Sequence, residues 1–377
     1  MDMKQGWEIK VFDDCINKIK VTTKLPSSSY KKEGAYPIVS QEKELISGYW
    51  DNVEDVIHSD IPVTIFGDHT MVVKYVDFDF AVGADGVKIL QPKTFLSPKF
   101  FYYWVKSVDI PSRGYARHYR YLRENNVSIP TIAEQERIVE ILDREFEKID
   151  ALKANAERSL QHAKDLFQSA LKQELQPKKG WTTRPLSDIC VITSSKRIFK
   201  SEYVSDGIPF YRTKEVKEIA NNLPISLELY ISNERYNEIK KKFGVPQIND
   251  LLVSAVGTIG EIMVVTDDKP FYFKDGNLVW LKEIQGVHSW YLKYYLKSII
   301  DDIKNMTRGA AYNALTIEKF QTMNICFSSI AEQEQIVARL DKLKEHCQAL
   351  EENYTKTIAL CDDMKQALLR QAFNGEL

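Results

Sequence analysis

Neither sign of charge dominates this chain: 51 Lys and Arg face 53 Asp and Glu, for a formal net charge of −2. At first that argues against a polyanionic partner, which needs a cationic surface. Long apolar runs are missing too. No stretch approaches the roughly 20 residues of a bilayer-spanning helix, and Met1 to Trp7 contain no signal-peptide core. The cysteines number five, scattered at 15, 190, 326, 347 and 361, with no Cys-x-x-Cys. That pattern predicts reduced, cytoplasmic thiols and neither disulfides nor a metal site. Phosphate-cradling loops are absent, as are Gly-x-Gly cofactor turns, His-Glu-x-x-His and Gly-x-Ser-x-Gly. The Asn/Asp-Pro-Pro-aromatic string of amino-methyltransferases is also missing.

Proline and glycine are missing from residues 133–175. Leu142, Ile149, Ala156 and Ala163 recur there every seven residues, beside Val139, Phe146, Lys153, Leu160 and Phe167. Such spacing predicts one long helix with an apolar seam, roughly 60 Å from end to end. It opens at Pro130-Thr-Ile-Ala-Glu-Gln-Glu-Arg-Ile-Val139, and Ser329-Ile-Ala-Glu-Gln-Glu-Gln-Ile-Val337 repeats that start near the C-terminus. The second run carries Leu340, Cys347, Tyr354, Cys361 and Leu368, flanked by Leu343, Leu350, Thr357 and Met364. Each helix needs a partner for one face. The expected partner is the other copy, antiparallel; a coiled coil between two chains is the alternative.

The repeat extends beyond the helices. Gly6-Trp7 returns as Gly180-Trp181, Pro37 as Pro209, and Trp104-Val-Lys-Ser107 as Tyr295-Leu-Lys-Ser298. The runs Ile61–Gly67 and Leu251–Gly257 read as buried strands ending in glycine turns, aligned Gly67 on Gly257. The order is circular: globule, helix, globule, helix. Expected boundaries are 1–130, 131–175, 176–328 and 329–377. The fold class is α+β: two mixed α/β domains separated by two long antiparallel coiled-coil helices, in a pseudo-two-fold repeat. Charge follows this division. The two helical runs carry −6 together and the remainder +4, so the balanced total conceals acidic struts and neutral-to-basic globules.

Two clusters carry chemistry. The first is Phe66-Gly-Asp-His-Thr70, where Asp68 and His69 pose an acid–base or metal pair. Its aligned turn, Val256-Gly-Thr-Ile-Gly260, has no titratable group, which favours a variable contact loop over catalysis. The second is Arg113-Gly-Tyr-Ala-Arg-His-Tyr-Arg120, opposite Arg308-Gly-Ala-Ala-Tyr-Asn-Ala314. Arginine's planar fork fits phosphate and guanine, and asparagine fits adenine. Equivalent loops of different content would read different sequences.

The helix starts, the terminal Ala372-Phe-Asn-Gly-Glu-Leu377, Phe66–Thr70 and Tyr115–Tyr119 together resemble the specificity subunit of type I restriction–modification enzymes. The resemblance spans essentially the whole chain. It departs from the family at Phe327-Ser-Ser329, where a proline is usual. It implies that each globule docks in the major groove at one half of a split, asymmetric DNA site. The helix pair would set the spacer and present surface to two methyltransferase subunits. S-adenosylmethionine would lie in those partners, and ATP and Mg in motor–nuclease subunits; this chain would hold no cofactor or metal. The DNA-binding candidates are Tyr36, Gly67, Asp68, His69, Thr70, Lys74, Arg113, Tyr115, Arg117, His118, Arg120, Arg212, Lys214, Thr258, Arg308, Tyr312 and Asn313. Lys74, Arg117, Arg120 and Arg308 would meet phosphate. The competing reading is a nuclease-like enzyme with its site at Asp68 and His69 and a coiled-coil dimer arm. A third is a coiled-coil adaptor that binds no DNA.

Overall fold

The computed structural model describes residues 6–21, 23–83, 86–111, 114, 116–306 and 315–377, with the backbone alone for 301–306. The chain divides into two compact units, residues 1–158 with 354–377, and residues 159–353.

In the first unit the strands are β1 (Glu8–Val11), β2 (Ile16–Asn17), β3 (Tyr36–Val39), β4 (Gly48–Trp50), β5 (Val56–Ile57), β6 (Val63–Gly67), β7 (Val73–Val76), β8 (Phe80–Val82), β9 (Val87–Pro92) and β10 (Asn126–Ile129). The helices are α1 (Pro98–Ser107), α2 (Tyr119–Arg123) and the start of α3 (Ile132–Glu174). One four-stranded sheet runs β2-β9-β6-β7, a second β4-β3-β8-β5, and β1 pairs with β10. β3 and β8 are parallel; the other ladders of this unit are antiparallel. The mostly apolar letters of β6 follow from its place between β7 and β9, where all five residues, Thr64 included, are buried.

The second unit repeats this plan. Its strands are β11 (Thr182–Pro185), β12 (Val191–Thr193), β13 (Tyr203–Val204), β14 (Ile208–Tyr211), β15 (Tyr230–Ile231), β16 (Leu251–Ser254), β17 (Ile262–Val264), β18 (Tyr272–Phe273), β19 (Leu278–Lys282) and β20 (Asn324–Phe327). Its helices are α4 (Thr213–Ala220), α5 (Asn233–Phe243), α6 (Ser289–Met306), α7 (Ile317–Gln321) and the start of α8 (Ile330–Phe373). The order β12-β19-β16-β17 matches β2-β9-β6-β7, β11 pairs with β20 as β1 does with β10, and β14 lies parallel to β18 as β3 does to β8. The units part at the second sheet. Where the first has β4 and β5, the second has β13, β15, α4 and α5. Sequence signals mark both ends of α5: Ser232 caps it through its Oγ, 3.2 Å from Arg235 N, and Gly244 ends it at φ 80°.

The ladders correct one alignment. Thr64 of β6 lies opposite Leu90 and Tyr75, as Leu251 of β16 lies opposite Leu281 and Val264. Gly67 therefore corresponds to Ser254 and Asp68 to Ala255. The expected match of Gly67 to Gly257 slips by three residues, because the following turns differ in length.

The long helices form where the heptads predict. Leu142, Ile149, Ala156 and Ala163 are buried, as are Leu340, Cys347 and Cys361. In the first unit α3 and α8 run antiparallel, with Lys153 Nζ 2.6 Å from Asp362 and Asp150 paired with Lys365. In the second, Arg339 reaches Glu174 at 2.8 Å. Such surface pairs add at most about 1 kcal/mol each and mainly fix register. The flanking row departs from expectation: Leu350 and Met364 are exposed. The two ends of the circular repeat also meet one core, since Trp7, Phe373 and Leu377 pack on the cluster containing Phe12, Phe100 and Leu142.

The repeated helix start is a structural device. Gln135 Oε1 accepts from Ser97 N at 2.7 Å, while its Nε2 donates to Phe95 O and Pro130 O. Gln333 does the same with His288 N at 2.7 Å, Gly286 O and Ser328 O. Two turns later, Tyr103 donates to Asp143 and Tyr294 to Asp341. The missing proline before α8 changes little, because Ser328 O replaces Pro130 O and Ser329 Oγ accepts from Glu332 N as Thr131 Oγ1 does from Glu134 N.

Candidate nucleic-acid interface

In the first unit β6 delivers Gly67 to a tight turn that closes at Met71, whose φ is 57°. A Cβ on Gly67 would lie 2.3 Å from Thr70 Oγ1 and 3.0 Å from Gln41 Cβ, so only glycine fits. Thr70 Oγ1 donates to Gln41 O at 2.6 Å, and His69 N donates to Gln41 Oε1. Gly86 leaves room for the same glutamine, whose Oε1 would lie 2.6 Å from an added Cβ.

The two sequence clusters turn out to be one. Asp68 is buried; its N donates to Gly86 O, and its Oδ1 accepts from Tyr119 N at 2.9 Å. Asp68 O accepts from His118 N at 2.8 Å and from His118 Nδ1 at 3.1 Å. His69 Nδ1 lies 3.1 Å from Ala116 O, to which it donates. Lys88 Nζ sits 3.6 Å from Asp68 Oδ2 and 5.4 Å from the Tyr119 ring centre. The turn at 67–70 is thus clamped to the 116–120 segment, and Thr70, Arg117 and Arg120 are left exposed. Arg117 has no hydrogen-bond or ion-pair partner among the described residues, and the Arg120 guanidinium lies over Tyr121 at 4.5 Å. Gln41 and Lys88 were missed in the sequence because their partners lie far along the chain.

In the second unit the same place is built without charge. Ala255 N donates to Asn277 O and Ala255 O accepts from Leu315 N, the two backbone bonds that Asp68 makes with Gly86 and His118. Ser254 Oγ donates to Thr258 O and accepts from Glu261 N, which holds a wider turn with Gly257 and Thr258 exposed. α7 takes its cap from Thr316 Oγ1, where α2 takes one from Asp68.

Other candidates sit elsewhere. Lys74 is buried, and its ammonium donates to Ser40 O at 2.9 Å and to Glu44 O. Burial holds its pKa below the usual lysine value. It occupies the position that Met263 holds in the second unit, and its two hydrogen bonds brace the 40–44 loop. Arg212 is tied to Glu215 at 2.6 Å and Glu228 at 2.9 Å, and Lys214 pairs with the same Glu228. The hydrogen bond to Glu215 is the main reason the Arg212 pKa is raised. Tyr36 is half-buried on β3 opposite Trp50. Arg113, Tyr115, Arg308, Tyr312 and Asn313 lie outside the described residues.

Two copies of one domain thus carry unlike polar loops at one shared position. The sequence matches the type I restriction modification DNA specificity domain over residues 4–161 and again over 178–360, and the chain belongs to that family. It is 26% identical over 352 residues to the Haemophilus influenzae chain S.HindORF215P, covering 89% of this chain and 87% of that one. It is also 26% identical over 374 residues to the Escherichia coli EcoR124I/EcoR124II specificity subunit, covering 92% and 89%. The fold matches that of a chain solved in work on assembly of the type I R-M system, with TM-score 0.75, 18% identity and full coverage of both.

The chain is thus a non-catalytic DNA specificity subunit. The enzyme reading of Asp68 and His69 falls on the same ground, and geometry explains the residues: their side chains hold the 116–119 backbone. Among the described residues no group of His, Cys, Asp and Glu is placed to hold a metal, and no helix is long and apolar enough to cross a membrane.

Proposed function

We propose that each unit reads one half of an asymmetric, bipartite DNA site, and that the α3–α8 pair sets the number of unread base pairs between the halves. The domains would be 1–130 and 176–328, and the helices 131–175 and 329–377. The observation that carries this reading is the exchange of Asp68 for Ala255 at one position of a repeated topology. The turn that follows carries Thr70 in one copy and Thr258 in the other. Same scaffold with different loops means same groove with different bases.

Arg117 and Arg120 supply phosphate contacts beside the Thr70 turn; Thr70 and Thr258 face base edges. Arg308, Tyr312 and Asn313 serve the second unit as Arg113 and Tyr115 serve the first. Asp68, His69 and His118 act by holding that surface in place. The chain works in the cytoplasm with two methyltransferase subunits, which bring S-adenosylmethionine, and with ATP-dependent motor–nuclease subunits. Mapping adenine methylation in cells carrying the whole system tests the reading. An asymmetric pair of short words with a constant gap supports it; a contiguous or palindromic motif sinks it.

A further inference from the structure

The second unit holds a cavity lined by lysines. It measures about 350 Å³ and lies among the end of α4, β17, α6 and α8. Lys293 and Lys344 line it, with Asp341, Trp290, Asn222 and Thr266. Lys293 is only 6% exposed. Its Nζ rests 4.6 Å from the Trp290 ring centre, and it has no hydrogen-bond or ion-pair partner among the described residues. Burial, then the like charges of Lys344 and Lys297, pull its pKa down to about 7. Asp341 lines the same cavity, and its Oδ1 is engaged by Tyr294. Glu345 stands exposed at the mouth, and Glu261 binds Asn221 at 3.0 Å.

The repeat supplies the control. The paired hydrogen bonds Tyr103–Asp143 and Tyr294–Asp341 align Tyr102 with Lys293, Lys106 with Lys297 and Phe146 with Lys344. In the first unit Tyr75 and Tyr102 pack at 5.6 Å, and Lys106 lies over Tyr102 at 5.3 Å and over Phe146 at 5.9 Å. That locus is a packed aromatic cluster with two cations on its rings, since Lys365 Nζ also lies 5.2 Å from the Phe146 ring centre. In the second unit Val264 replaces Tyr75 and lysines replace the other two rings, which leaves a void with cations around it. A buried ammonium without a direct ion pair is costly, so packing alone does not account for the exchange.

We infer that this cavity is a binding site for a compact oxyanion of the phosphate type, held by Lys293 and Lys344 with Lys297 behind them. Asn222, Thr266 and Gln348 offer neutral hydrogen-bond groups at the rim. The volume exceeds a bare phosphate and suits a phosphomonoester with a small organic remainder, at the low end of small-molecule sites. The site is separate from the DNA-reading turns and independent of how they read.

Calorimetric titration of the full chain with inorganic phosphate, at ionic strength matched with chloride, tests this. One saturable site per chain is expected, weakened at least about tenfold in Lys293→Met and again in Lys344→Gln. A thermal melt confirms that each variant folds; where Lys293→Met does not, Lys344→Gln alone decides, since Lys344 is less buried. No saturable phosphate binding above the chloride control overturns the inference, as does binding that survives in both variants. A parallel titration with duplex DNA separates the sources. Loss of duplex affinity in the variants, with no binding of free phosphate, would overturn it by assigning these lysines to the DNA backbone.

Discussion

The side chains of Gln135 and Gln333, each fully buried, make the same three backbone hydrogen bonds in their two units. Each amide joins the start of a long helix to the loop before α1 or α6. Replacing Gln135 by Leu strands Ser97 N, Phe95 O and Pro130 O, at a cost of about 1–3 kcal/mol. Hydrogen exchange should show faster opening around 95–105 in Gln135→Leu and around 286–296 in Gln333→Leu. Identical protection in wild type and variant would refute the role.

Arg117→Ala should leave the thermal transition in place and weaken binding to every duplex by a similar factor. The slope of log affinity against log salt should fall by about one. An effect confined to one base position would make Arg117 a base reader instead.

Asp68→Ala removes the acceptor for Tyr119 N and frees Lys88 from its partner. A loss of about 1–3 kcal/mol in the first unit is expected. Selectivity should relax at one half-site while the other, read by the Ala255 turn, stays intact. Methylation of variant sites in cells reports both halves at once. Relaxation of both would argue against separate readers.

Deleting 153–159 together with 356–362 removes one heptad from each long helix and keeps the apolar seam in phase. The helices shorten by about 10 Å, close to three base pairs. The preferred gap between half-sites should shrink accordingly. A gap that stays constant in a variant that still methylates DNA would show that the helix pair is no ruler.

The Lys293 pKa, held down to about 7, has a definite sign in stability. The unfolded chain keeps this lysine protonated to its ordinary value near 10.5, so between the two the unfolded state binds more protons. Stability should therefore rise with pH from about 7 toward 10. Below about 7 the penalty of the buried charge is fully present. Lys344, Lys297, Asp341, Glu345 and Glu261 are the other charged groups around it. Lys293→Met should flatten the rise in urea midpoint over that window; an unchanged slope would place the titration elsewhere.

Much of this architecture was written in local order. The heptads of α3 and α8, the repeated Ile-Ala-Glu-Gln-Glu and the apolar runs of β6 and β16 depend on neighbours within a few turns or on burial of a whole strand. Periodicity therefore exposes them. The clamp between Asp68 and His118–Tyr119 joins residues some fifty positions apart through backbone groups, which leave no mark in side-chain letters. The placing of Lys74 is silent for the same reason: its acceptors are the carbonyls of Ser40 and Glu44, and any residue supplies a carbonyl. The slip of Gly67 onto Gly257 arose because glycines mark turns, and turns are where the copies differ in length. Sequence alone determined that two like domains alternate with two long helices. Tertiary structure decided which loop residues face outward, because that is settled by hydrogen bonds between segments distant in the chain.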